Sequence, residues 1–334
     1  MPVLDKVAVG VDIGGTAIKA GIVSAKKGVT KTVIRRTEPR KSAKVVVNNI
    51  VGAIEELGAD GAMGIGIGIP GPLDMDKGIL HNPHRFPKMD GYNIKKALER
   101  KLGKEIVIDN DANCFALAEK LMGEGRDYRH MVAITLGTGL GCGVIINNRL
   151  LHGATSMAAE IALNPYLDNT LEHYTGKSAI MRYYHDFGGT KYQSVKEIAK
   201  NAKKDGKARQ AFRSYGKHLG RGISPTINLI DPELLVLGGG IAKNYRLFRK
   251  EFEATLRKNI HCLPAKKMKI AVTKMGNDAG MAGAAALVHY SRWRWQYDKS
   301  CTEFAFGRLQ LFGGGNIKSI AGRGGNAPSG RNGR

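Results

Sequence analysis

One local unit occurs twice in this chain, and it limits what the chain can fold into. Lys6-Val7-Ala8-Val9-Gly10-Val11-Asp12-Ile13 reads as a buried strand that ends in Gly14-Gly15-Thr16 and resumes as a strand at Gly21-Ile22-Val23. Met131-Val132-Ala133-Ile134-Thr135-Leu136 runs in the same way into Gly137-Thr138-Gly139-Leu140-Gly141, then into the strand Cys142-Gly143-Val144-Ile145-Ile146. Strand, glycine turn, strand is a hairpin signal, whereas the dinucleotide-binding fingerprint puts a helix after its glycines. Two similar halves facing each other are the simplest arrangement.

The remaining pattern is α/β. Val46, Ile50, Ile54 and Leu57 form one apolar stripe at helical spacing, as do Ile94, Leu98 and Leu102. Gly64 to Asp74 alternates like a strand until it breaks at Pro70-Gly71-Pro72, and Glu105 to Ile108 is the next strand. Asn147-Asn148 suits a hairpin turn. A helical region runs from about Val195 to Ile230 with a break near Asp205-Gly206. Leu234 to Leu237 and Ile270 to Val272 are further strands, and an alanine-rich helix follows Gly276-Asn277-Asp278-Ala279-Gly280 to about Tyr290. From Ser291 the chain turns basic and glycine-rich, a composition that cannot bury a core.

The net charge of +23 raises the question of nucleic acid or an anionic substrate. The basic residues are spread along the chain and no nucleic-acid module accompanies them, so a solvated basic surface is the simpler account. Cys114, Cys142, Cys262 and Cys301 form no CxxC pair, which argues against zinc spacing and a disulfide framework. No stretch reaches 18 apolar residues and none has the build of a signal peptide. A cytoplasmic protein is the expectation.

Three glycine turns and one acidic junction carry the chemistry. Asp12 beside Gly14, Gly15 and Thr16 can hold Mg²⁺ through water while the turn's amides and the Thr16 hydroxyl donate to phosphate, with Lys19 adding charge. Alone, this segment also fits an ordinary tight hairpin. Gly137, Thr138 and Gly139 suit outer phosphates, and Gly238, Gly239 and Gly240, after a buried strand, suit a base and ribose. At Ile108-Asp109-Asn110-Asp111-Ala112-Asn113 an amide and a carboxylate stand side by side where a strand meets a helix. Asp111 there reads either as a helix N-cap or as the base of a small-molecule phosphotransferase.

Taken together, these segments resemble sugar kinases of the ROK family (repressors, open reading frames, kinases), within the actin-like ATPase superfamily. The resemblance runs from about Lys6 to Leu287. It is carried by Asp12 to Gly21, Ile65 to Asp74, Asp109 to Glu119, Leu136 to Gly143, Ala159 to Leu163, Leu171 to Gly176, Asn228 to Ile241 and Gly276 to Ala285. It implies a two-domain, ribonuclease H-like α/β fold with sugar and ATP in the cleft between the domains. The domains are expected at 1–115 and 116–290, with the last helix packing back on the first, ahead of a disordered tail at 291–334. The resemblance makes Asp111 the general base, and Asn110, Glu160, Glu172 and Asn82 sugar-binding residues. It implies ATP and Mg²⁺ as cofactors and a homodimer as the assembly.

The sequence also departs from the family. Many members hold a structural zinc with the His of Gly-Glu-Ile-Gly-His and three cysteines of a following loop. Here those stretches read Ala159-Glu160-Ile161-Ala162-Leu163 and Asn164 to Thr170, so that zinc is not expected, and the sugar contact of the missing His is lost. No room precedes Asp12 for the family's winged helix-turn-helix, which argues against a DNA-binding repressor, though not against the tail touching nucleic acid. The reading is therefore a hexose kinase making glucose 6-phosphate. Alternatives are N-acetylmannosamine, N-acetylglucosamine or fructose as acceptor, polyphosphate as donor, or a non-catalytic sugar or nucleotide sensor.

Overall fold

A computed structural model describes residues 7–24, 26–263 and 265–291. The expected disordered tail falls, from 292 on, outside the described residues.

Two five-stranded sheets share one topology. In the first, the strands lie in the order Gly28–Arg36, Ala17–Ser24, Ala8–Ile13, Ile65–Ile69, Ile106–Asn110. In the second the order is Arg149–Leu150, Leu140–Ile146, Met131–Leu136, Leu234–Gly238, Lys269–Val272. Each sheet begins as an antiparallel meander and continues as parallel strands. The two sequence repeats are thus the central hairpins of the two sheets.

The parallel strands read as unbroken apolar runs because both faces are covered. Ile65–Ile69 and Leu234–Gly238 are buried at every position. Helix Ala43–Leu57 buries Val46, Ile50, Ile54 and Leu57, the predicted stripe, and ends at Gly58 in the left-handed region (φ 60°). Asn147 and Asn148 both take positive φ, 52° and 64°, in the hairpin turn expected of them. The helical region splits into Val195–Asn201 and Gly206–Ile230, with Asp205 capping the second helix by accepting from the Lys207 and Ala208 amides.

Glycine in the first sheet serves a close approach of backbones. A Cβ on Gly10 or Gly66 would overlap the carbonyl oxygen of Met281 or Ala284, so helix 279–291 lies directly on these two strands. Gly283 of that helix meets the Cys114 carbonyl of helix Asp111–Met122 in the same way. The latter helix is buried from Ala112 to Glu119 and is the central one.

Candidate active site

Strand Ile106–Asn110 passes into helix Asp111–Met122 without a loop. Asn110 caps the helix, its Oδ1 accepting from the Ala112 amide at 2.8 Å. Its Nδ2 donates to the Gly71 carbonyl (3.3 Å) and to Glu160 Oε1 (3.2 Å), which fixes the amide's orientation. Asp111 therefore occupies the first turn with the cap already filled, and its carboxylate points into a cleft of about 300 Å³.

That cleft brings together Asn110, Asp111, Glu160, Glu172, Gly137, Thr138, Gly139 and Gly239. Glu172 sits in the short helix Leu171–Thr175, capped by Thr170, and its Oε2 accepts from the Leu140 amide at 3.0 Å. A Cβ on Gly139 would overlap that same oxygen, so the turn and the carboxylate are fitted to each other. The Lys177 amide braces the turn from behind, donating to the Gly137 and Thr138 carbonyls at 3.0 and 3.3 Å. Gly239, at φ 84°, opens the helix Gly239–Ala242 beneath.

Asp12 is the next-to-last residue of strand Ala8–Ile13, paired in register with Lys19. It, Gly14, Gly15, Thr16, Lys19, Gly238 and Gly240 lie outside the lining of the cleft proper. The Gly14 amide donates to the Ala17 carbonyl at 2.9 Å, which closes the turn, and Gly15 approaches the Arg85 side chain. Asn82 is exposed with a φ of 45°, its amide donating to Asp90, and it does not line the cleft.

The acids are crowded, and burial and mutual repulsion act on their carboxyls. Burial raises the Asp111 carboxyl to about 6, the Asp12 charge adds to the rise, and Arg85 opposes it. Burial likewise raises Asp12, against the lowering effect of Lys19, and raises Glu160, helped by the charge on Glu172. A carboxyl near 6 is ionised at neutral pH yet still basic enough to accept a proton. The Cys142 thiol, also lining the cleft, is pushed up by burial to about 12 and stays protonated.

Sequence reasoning gave no role to Asp109, His152, Arg85 or His84. Asp109 is fully buried and accepts from the Asn110 amide (2.7 Å), Asn113 Nδ2 (2.9 Å) and His152 Nε2 (2.8 Å). Arg85 and His84 line the cleft from a loop that has no periodic pattern. Leu163, half-exposed, lines it where the resemblance would place a histidine. A more open depression of about 690 Å³, lined by Tyr184, Tyr192, Lys204 and Asp205 among others, shares none of these residues. Among the described residues no three His, Cys, Asp or Glu are grouped to hold a metal ion. No helix there is long and apolar enough to cross a membrane.

Duplicated sheets with a buried carboxylate facing a glycine turn across a cleft define a sugar kinase of the actin-like ATPase fold. The ROK family model matches residues 8–291, and the chain belongs to that family. A glucokinase of Thermotoga maritima is 31% identical over 307 residues, spanning 84% of this chain and 96% of the relative. An N-acetyl-D-glucosamine kinase of Photobacterium profundum is 28% identical over 302 residues, spanning 83% and 98%. The crystal structure of a ROK family glucokinase from Streptomyces griseus, in complex with glucose and AMPPNP, superposes with a TM-score of 0.74 at 28% identity. It covers 84% of this chain and 98% of that one.

Proposed function

We propose that this sugar kinase transfers the γ-phosphoryl group of ATP to the 6-hydroxyl of glucose. The observation that carries the reading is the placement of Asp111, with Asn110, Glu160 and Glu172, in one cleft with the Gly137–Gly139 turn. Asp111 takes the proton of the attacking hydroxyl. Asn110, held by Gly71 and Glu160, donates to a neighbouring sugar oxygen, and the two glutamates accept from sugar hydroxyls. Carboxylates suit this task, since each accepts several O–H donors and none need be lost on closing.

The nucleotide's outer phosphates lie on the Gly137–Gly139 and Gly14–Thr16 turns, and its base and ribose lie along Gly238–Gly240. Asp12 fits a divalent cation. Its carboxylate is desolvated and acts electrostatically on that of Asp111, while the charge on Lys19 opposes its rise. Asp12 would hold Mg²⁺ through water, and the ion would neutralise charge building on the phosphates. A homodimer in the cytoplasm belongs to the same reading.

Coupled ADP release against glucose, N-acetylglucosamine, N-acetylmannosamine and fructose, with Asp111→Ala in parallel, tests it. Turnover highest with glucose and abolished by the substitution is expected. A higher kcat/KM for another sugar would reassign the acceptor. Turnover with polyphosphate but not ATP would reassign the donor, and binding of sugar without turnover on either donor would leave a sensor.

A further inference from the structure

Arg85 is the one cation lining the cleft whose side chain the fold leaves unengaged among the described residues. Its neighbours are fixed: Pro83 is buried, Phe86 is fully buried, and the Phe86 amide donates to the Pro83 carbonyl at 2.8 Å. The loop is therefore a firm base from which an exposed guanidinium extends. No hydrogen bond or ion pair of the described residues engages that guanidinium, although Glu172 stands close by.

Three observations locate its head. A Cβ built on Gly139 would lie 3.3 Å from Arg85 Nη2, so the guanidinium sits over the Gly137–Gly139 turn. A Cβ on Gly15 would lie 4.0 Å from Arg85 Cδ, so the stem passes the other glycine turn. The charge also acts on Asp111, where it opposes the rise in that carboxyl. Arg85 thus stands between the base and both glycine turns.

A phosphoryl group moving from a nucleotide on those turns to a hydroxyl beside Asp111 must cross this space. During the crossing, charge spreads over its three outer oxygens, and a planar guanidinium with five donors matches two of them at once. An arginine left without a hydrogen-bond partner, near the carboxylates of Asp111 and Glu172, gains most from an anion that arrives with the substrates.

We infer that Arg85 is a catalytic residue of this kinase, supplied in cis, that contacts the phosphoryl group in transit. The inference rests on the sugar-kinase reading. The bond from the sugar oxygen to phosphorus forms as the bond to the bridging oxygen of ADP breaks. That oxygen keeps the electron pair, the hydroxyl proton goes to Asp111, and Arg85 donates to the outer oxygens throughout. It neither gains nor loses a proton.

The test compares wild type with Arg85→Ala and Arg85→Lys by calorimetry, titrating ADP alone and ADP with aluminium fluoride, in magnesium buffer with the preferred sugar. Aluminium fluoride mimics the group in transit, so this readout does not depend on turnover. ADP alone should bind all three proteins within about threefold, whereas ADP with aluminium fluoride should bind Arg85→Ala at least tenfold more weakly. The kcat of Arg85→Ala should fall about 100-fold or more, Arg85→Lys should recover little of it, and millimolar guanidinium should restore part.

Equal losses for ADP and for the aluminium fluoride complex would overturn the inference. So would an unchanged kcat with a raised sugar KM, which would make Arg85 a sugar contact. If wild type turned over no sugar, the kinase reading would fail by itself. The aluminium fluoride comparison would still decide whether Arg85 meets a phosphoryl group.

Discussion

His152 Nε2 meets Asp109 Oδ2 at 2.8 Å and so joins the second sheet to the first, two residues before Asp111. Asp109 belongs to strand Ile106–Asn110, and His152 follows strand Arg149–Leu150. The other oxygen of Asp109 holds the Asn110 amide and Asn113, so the pair fixes the backbone on which Asn110 and Asp111 stand. His152→Ala leaves a buried carboxylate short of one donor. A loss of about 1–3 kcal/mol is expected, together with a tenfold or greater fall in kcat. Thermal unfolding and steady-state rates check both, and a variant as stable and active as wild type would remove the pair from the machinery.

As the proposed base, Asp111 should set an acid limb on the rate. With its carboxyl near 6 in the free enzyme, it is protonated, and useless as a base, below that pH. The kcat/KM should fall about tenfold per pH unit below 6 and level off above it.

The same shift has a consequence for stability, opposite in sign to that of most acidic groups. A raised carboxyl favours the native state only while protonated. That contribution is complete below the unfolded value of 3.8 and is lost as pH rises through about 6. Above pH 6 the ionised, desolvated acid therefore strains the fold. Asp111→Asn should lose at least about a thousandfold in rate while its Tm at pH 7.5 rises by a few degrees, up to about 3 kcal/mol. Melting curves at pH 5 and 7.5 should show the two proteins converging at the lower pH.

Gly139 tests the fit between the glycine turn and Glu172, the proposed sugar carboxylate. A methyl group there displaces Glu172 Oε2 and breaks its bond to the Leu140 amide. Gly139→Ala should raise the sugar KM at least tenfold and lower kcat, with a smaller change in Tm. Equal sugar binding by calorimetry would show that Glu172 does not hold the substrate.

Much of this was legible because it is local. The two strand–glycine–strand units, the helical stripes and the Asn147-Asn148 turn depend on neighbours within a few residues, and Asp111, Glu160 and Glu172 lie in recognisable short segments. Arg85 and His152 depend on tertiary approach. Arg85 reaches Gly139 from 54 positions away, on a loop with no period to read. Asn82, three residues earlier on that loop, is exposed and outside the cleft lining, because sequence gave the loop but not which of its side chains turn inward.

The segment at 164–170, where the resemblance puts a cysteine loop, is braced by aromatic rings. Tyr166 OH meets His218 Nδ1 at 3.2 Å, and His218 stacks on Tyr183 with ring centroids 5.3 Å apart and planes 11° from parallel. Tyr174 packs on both Tyr166 and His218, and Arg182 lies over Tyr174 and Tyr183. Burial lowers the His218 pKa, with Arg221, Arg182 and Lys217 adding to the effect, so the stack is built around a neutral imidazole. Its stabilisation is present above the unfolded histidine value of 6.5 and is lost as pH falls from there through the depressed native value. Protonation puts a charge among three cations, Arg221, Arg182 and Lys217. Between pH 7.5 and 5.5 the Tm of wild type should fall through this site, and that of His218→Phe should fall less. Because Thr170 caps the helix bearing Glu172, the sugar KM should rise more over the same interval in wild type than in His218→Phe. Parallel pH profiles of KM for the two proteins would show the hairpin and Glu172 to be uncoupled.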